Sequence, residues 1–156
     1  MIDHMTLTVR DLGRSRTFYE RALAPLGYRV VMEFGELFAF GDDKPYFWMK
    51  QGDPPTTPQH IAFAARRRAD VDAFHAASLA AGGSDNGPPG LRTDYHPSYY
   101  AAFVFDPDGH NIEAVTHREG APERRSARTR TASRGASKKK GAGTKPKRRG
   151  AKAKRR

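Results

Sequence analysis

MIDHMTLTVRDLGRSRTFYERALAPLGY, residues 1–28, changes from a strand-like to a helix-like hydrophobic period within a few positions. Met1–Val9 alternates and is rich in β formers, which predicts a strand. Ser15–Leu26 sets Phe18, Tyr19, Ala22, Leu23 and Leu26 at helical spacing, with Asp11 ahead of it as a cap and Pro25 and Gly27 ending it. Three short apolar runs follow, Tyr28–Phe34, Glu36–Gly41 and Pro45–Gln51, which read as strands separated by tight turns. The order is βαβββ.

After a Pro/Thr linker at Pro54–Pro58 the order starts again. Gln59–Ala65 reads as a strand and Ala69–Ala81 as a helix ended by Gly82–Gly83. The Gly/Pro-rich stretch Ser84–Pro97 reads as a loop with room for a short edge strand. Tyr99–Asp106 and His110–His117 are strands joined by the turn Pro107–Asp108–Gly109. An offset of 56 lays His4 on His60, Phe18 on Phe74, Leu23 on Leu79 and Gly27 on Gly83. An internal duplication is the simplest account. The expected fold is α+β, with two tandem βαβββ modules, module one at 1–53 and module two at 58–117.

Strand alternation assigns the faces. Met5, Leu7 and Val9 are to face the first helix, leaving His4, Thr6 and Thr8 on the other side. Ile61 and Phe63 are to face the second helix, leaving His60, Ala62 and Ala64 opposite. In the last strand Ile112 and Ala114 point to the core, so Glu113 shares the histidine face. Small and polar neighbours describe a cavity wall. A half-buried carboxylate there needs a partner, because desolvating a charge is costly. A divalent metal held by His4, His60 and Glu113 supplies one and keeps open coordination positions; the donor set does not choose among Fe, Mn, Ni and Zn.

The opening segment, with its ligand-type His, Asp-Leu, Ser-x-x-Phe-Tyr and Leu-Gly, resembles the start of vicinal-oxygen-chelate proteins, the glyoxalase, bleomycin resistance protein and extradiol dioxygenase superfamily. FVFDPDGHNIEAV, residues 103–115, resembles their closing motif, and QHIAF lies between. The resemblance implies an open, barrel-like cup around a metal that chelates neighbouring oxygens of a small substrate and acts as a Lewis acid. By position it implies His4, His60 and Glu113 as ligands. It also implies a site closed within one chain or shared across a homodimer. One departure stands out: glyoxalase I carries a further glutamate on the last strand of module one, where PYFWMKQ offers Trp48 and no carboxylate, so glyoxalase I activity itself is not expected. Candidate substrate contacts are Tyr46 (or Phe47), Trp48, Tyr95, His96 and Tyr100, with Arg10 and Arg92 as cations for a substrate carboxylate. Tyr99 and His110 are further sources of acid–base groups.

Three functional classes follow. The first is a metal-dependent lyase, isomerase or dioxygenase. The second is a non-catalytic small-molecule binding or resistance protein. The third rests on residues 118–156, which hold 17 Lys/Arg against 2 Asp/Glu, a net of +15, whereas residues 1–117 carry −4. This tail lacks every aromatic and every branched apolar residue, which predicts disorder and sequence-independent association with nucleic acid. With no Cys in the chain, disulfides, thiolate metal sites and Cys nucleophiles are excluded. No signal peptide or membrane-length apolar run is read, so a cytoplasmic, membrane-free protein is the expectation.

Overall fold

The computed structural model describes residues 2–118. The expected disorder of the basic tail therefore lies outside the described residues, Arg118 excepted. Module one runs β1 (Met5–Val9), α1 (Leu12–Leu23), a 3-10 turn (Ala24–Leu26), β2 (Arg29–Phe34), β3 (Leu37–Gly41) and β4 (Phe47–Gln51). Module two runs β5 (His60–Ala64), α2 (Arg68–Ala80), β6 (Ser84–Leu91), β7 (Tyr100–Phe105) and β8 (Asn111–Thr116). The sheets are ordered β1-β4-β3-β2 and β5-β8-β7-β6, so each module repeats the same crossover. In each, the outer pair (β1 with β4, β5 with β8) is parallel and the rest are antiparallel. The α+β, two-module reading holds.

The helix starts follow the local chemistry. Asp11 is the N-cap of α1, its side chain accepting from the Arg14 amide at 2.9 Å. The helix thus begins at Leu12, three residues before the expected Ser15, because the cap acts on the turn that follows it directly. Gly27, at φ 88°, closes the 3-10 turn that continues α1 and keeps Leu26 in the core.

The duplication is imperfect where α2 ends. No 3-10 turn follows it, and of the expected Gly82–Gly83 terminator it is Gly82 (φ 94°), one position before the counterpart of Gly27, that is left-handed. The last turn consequently buries Ser78 and leaves Leu79 38% exposed, whereas its counterpart Leu23 is fully buried. A longer departure is β6. The eight residues SDNGPPGL form a strand against β7, with Ser84, Asp85, Gly87, Gly90 and Leu91 paired across two register shifts, where a loop with room for a short edge strand is expected. An edge strand tolerates Pro88 and Pro89 because only one of its sides needs ladder hydrogen bonds, and the bulges absorb the mismatch.

Leu7 and Val9, Ile61 and Phe63, and Ile112 and Ala114 are buried on the helix-facing sides, as alternation requires. These sides merge into one core. Phe63 of module two meets Tyr28 and Phe47 of module one edge-on at 5.7 and 5.3 Å, and α1 contacts α2. Such aromatic pairs add about 0.5–1.5 kcal/mol each beyond burial.

A polar bond also crosses the modules. Tyr19 on α1 donates its hydroxyl to Asp106 Oδ2 at 2.7 Å in the buried interior. Asp106 Oδ1 accepts from the amides of Asp108 and His110, which shapes the turn between β7 and β8. Burial first, and the Asp106 charge second, hold the Tyr19 phenol well above its ordinary pKa. Tyr19→Phe removes one donor from a buried carboxylate and is expected to cost about 1–3 kcal/mol. The readout is a lower urea midpoint at unchanged slope; an unchanged midpoint would show that the bond contributes nothing net.

Candidate metal centre and its two halves

Each sheet has one helix against one face, and the other face is left uncovered in the single chain. On β1 that face carries Thr6 and Thr8, with His4 just ahead of the strand; on β5 it carries His60, Ala62 and Ala64, all three exposed. Both assignments match the alternation of the sequence.

On module two the open face holds a charged group with almost no water. Glu113 is only 1% exposed, and two side chains converge on its carboxylate. Tyr99 donates to Oε1 at 2.6 Å, and His60 Nε2 lies 3.1 Å from Oε2. His60 Nδ1 lies 3.3 Å from the carbonyl oxygen of Asn111. That contact favours the tautomer protonated on Nδ1, whose Nε2 lone pair points to the carboxylate side. Metal-ligating imidazoles commonly donate their other ring N–H to a backbone carbonyl in this way. A lone-pair nitrogen and a carboxylate oxygen sharing one point are a donor pair that a divalent cation fits.

Beside this pair lies a positioned cation. Phe103 is the cross-strand partner of Glu113, the His60 ring is stacked near it at 6.3 Å, and the Arg92 guanidinium stands 5.5 Å over its centroid. Arg92 donates to the Pro88 carbonyl at 2.7 Å, and among the described residues it has no carboxylate within ion-pair distance. Glycine makes the space: a Cβ at Gly87 or Gly90 would stand 3.3 or 3.0 Å from the guanidinium nitrogens.

On module one, His4 borders a cavity of about 370 Å³ with Thr6, Leu37, Lys44, Tyr46 and Trp48. His4 Nδ1 is 2.8 Å from Asp3 Oδ1, which again leaves Nε2 as the free donor atom. Trp48 stacks on the exposed Phe34 at 6.5 Å and 16°. Tyr46 lines the cavity and donates to Asp43 at 3.2 Å, while Phe47 belongs to the core.

The structure thus brings together His60 and Glu113 and keeps His4 on the other sheet. Among the described residues of one chain, no three His, Asp or Glu side chains form a group able to hold a metal. Of the other candidates, Tyr46 and Trp48 line the His4 cavity. Tyr95 is 69% exposed and packs edge-on to Tyr99 at 5.3 Å; His96 bonds Ser98 and neighbours His117. Tyr100 sits on the helix side of its sheet. Its hydroxyl donates to Asp72 of α2 at 2.7 Å, and Arg68 stands over its ring. Its neighbour Tyr99 takes the open face instead. Tyr100 shares the parity of Ala102 and Val104, and it is their burial against α2 that assigns this side of β7 to the core. His110 is buried, its Nδ1 accepting from the Gln59 amide at 3.1 Å, a tie between β5 and the β7–β8 turn. The backbone amide of Arg10 bonds Asp108 at 3.0 Å, a further tie between the modules. Among the described residues, no helix is long and apolar enough to cross a membrane.

Comparison with known proteins agrees with this architecture. The sequence model of the Glyoxalase/Bleomycin resistance protein/Dioxygenase superfamily matches residues 1–114. A glyoxalase/bleomycin resistance protein from Albidiferax ferrireducens is similar at 32% identity, with 72% of this chain and 96% of that chain covered and a TM-score of 0.65. The fosfomycin resistance protein FosX of Mesorhizobium loti is 25% identical, with 74% and 91% covered and a TM-score of 0.58. FosX of Listeria monocytogenes, solved with Mn(II) and a dihydroxypropylphosphonic acid, shares the fold at 21% identity, 79% and 92% coverage and a TM-score of 0.58.

The Tyr99 phenol is pushed up from 10 to about 12, chiefly by burial and then by its bond to Glu113. An unfolded tyrosine ionises near 10, so the stability gained by keeping Tyr99 protonated is complete below about pH 10 and is lost as pH rises toward 12. Tyr99→Phe is therefore expected to flatten the loss of thermal stability across that window. It should also remove one tyrosine from the high-pH phase of an ultraviolet titration. A titration identical to that of the unmodified protein would assign the phase elsewhere.

Proposed function

Because the chain belongs to the Glyoxalase/Bleomycin resistance protein/Dioxygenase superfamily, we propose that it is a metal-dependent enzyme acting on a small, oxygenated, anionic substrate, with its site completed between two copies. His60 and Glu113 of one copy and His4 of the other hold the metal. The observation that carries this reading is the convergence of His60 Nε2 and buried Glu113 at 3.1 Å, with Asn111 and Tyr99 as their outer partners. The metal is a divalent ion drawn from Fe, Mn, Ni and Zn, and when bound it supplies a Lewis acid for substrate oxygens.

The two open faces are complementary in size. Module one presents Trp48, Tyr46 and Phe34, whereas module two presents Ala62 and Ala64 and a depression of about 540 Å³ over them. Seating one against the other in a homodimer encloses a cup and brings His4 to the other two donors. Arg92, with no carboxylate in ion-pair distance among the described residues, binds an acidic group of the substrate bidentately. Tyr99 orients Glu113. On β4, Trp48 and Lys50 share the open face, so no additional carboxylate base comes from that strand, and the reaction belongs to lyase, isomerase or dioxygenase chemistry other than that of glyoxalase I.

Elemental analysis tests the reading. Purified protein is expected to hold up to one divalent ion per chain, with affinity reduced at least ~100-fold in His60→Ala, Glu113→Gln and His4→Ala. The reduction should be about 10–100-fold in Tyr99→Phe, which affects only an outer partner. Refolding a mixture of His4→Ala and Glu113→Gln chains should restore one intact site in each mixed dimer. Failure of the mixture to regain metal would exclude a shared site. A protein that cannot be loaded with any of these ions would point instead to a cup that binds small molecules without turnover.

A further inference from the structure

A third depression, of about 400 Å³, is lined by Leu26 and Gly27 of the 3-10 turn, Arg66 and Arg67 ahead of α2, Asp70 within it, and Arg118 beyond β8. Three guanidinium groups from two widely separated stretches of chain border it, with one carboxylate among them. That carboxylate is committed. Asp70 is 8% exposed and takes both Nε and Nη2 of Arg67. Among the described residues, neither Arg66 nor Arg118 has a carboxylate within ion-pair distance. Among the described residues the cluster therefore sets three guanidinium groups against one bordering carboxylate, with the Arg66 charge also felt by Asp42. It does so on a background of the opposite sign, since residues 1–117 carry −4. General basicity of the folded part does not account for it.

We propose that Arg66, Arg67 and Arg118 form a binding surface for the phosphodiester backbone of nucleic acid. Planar guanidinium forks match phosphate oxygens and retain their charge at every relevant pH. The choice of a polymer over a single phosphorylated molecule rests on what the chain does next. Arg118 leads directly into residues 119–156, which hold 16 Lys/Arg and 2 Asp/Glu and no aromatic residue. Such a composition neutralises many phosphates in a row and reads no bases. A ligand that engages this segment carries repeated phosphates, and the folded unit offers its own arginines to the same kind of ligand. Nucleic-acid association is then a property of the folded unit as well as of the basic segment; it uses none of the candidate metal donors, although Arg66 and Arg118 also border the depression over Ala62 and Ala64.

The test is fluorescence anisotropy of the full chain with a labelled duplex DNA of mixed sequence across a range of KCl concentrations. Each lost phosphate contact lowers the slope of log affinity against log salt by about 0.9, so Arg66→Gln/Arg118→Gln is expected to reduce it by about 1.8. Arg14→Gln/Arg21→Gln, which removes the same charge from exposed positions of α1, is the control and should leave the slope almost unchanged; thermal melting confirms that both variants are folded. Equal slopes for the two variants, or no duplex binding by the full chain, overturn the proposal. So does saturable binding of inorganic phosphate that the first variant loses while its DNA slope stays intact, which would assign the cluster to a free phosphorylated ligand. A variant effect seen only with phosphatidylserine vesicles would assign it to a membrane surface and would equally overturn the proposal.

Discussion

Each sheet has one helix to cover it, and that constraint organises everything else in the folded unit. A four-stranded sheet has two faces; α1 and α2 bury one apiece and meet in a common core, so the second face of each sheet is left to water, to a ligand or to another chain. The alternating pattern accommodates this at once. Leu7, Val9, Ile61, Phe63, Ile112 and Ala114 point inward, and the polar and small residues between them line the open sides. In a sheet covered on both faces these strands would read as continuous apolar runs. Here they alternate, and the chemistry occupies the uncovered half of the pattern.

Within that half, Glu113 is exceptional because it is a charged group buried beside the exposed His60, Ala62 and Ala64. A carboxylate so far out of water needs hydrogen bonds or an opposite charge. Tyr99 provides the first and His60 the second when it is protonated; a cation shared between them satisfies both His60 and Glu113 without a proton. On this sheet the candidate donor pair is held by short contacts, while His4 lies on the other sheet.

The β7–β8 turn sets the register of this arrangement. Asp106 gathers the amides of Asp108 and His110 and receives the Tyr19 hydroxyl, while Asp108 accepts from the Arg10 amide. The turn that aligns Glu113 with Phe103 is thereby anchored to the first helix and first strand of the other module. A one-residue slip at this hairpin would turn Glu113 to the core side, which is why a buried polar network at a surface turn has consequences for the pairing of Glu113 with His60 and Tyr99.

Much was legible from the chain alone: two βαβββ units, the face assigned to His4, His60 and Glu113, the Asp11 cap, and the absence of a carboxylate on the open side of β4. These are properties of period, parity and local capping, which depend on near neighbours. Tertiary structure decided the rest. It set Tyr99, not Tyr100, on the open face, a choice that parity implies only once β7 is registered against β8. It made a strand of the Gly/Pro-rich segment 84–91, because an edge position excuses prolines that propensity penalises. It exposed Leu79 while burying Leu23, because only the first helix continues into a 3-10 turn. It also placed His4 on a different sheet from His60 and Glu113: alternation specifies which side of a sheet a residue takes, and only packing of the two sheets about their common core specifies where those sides point.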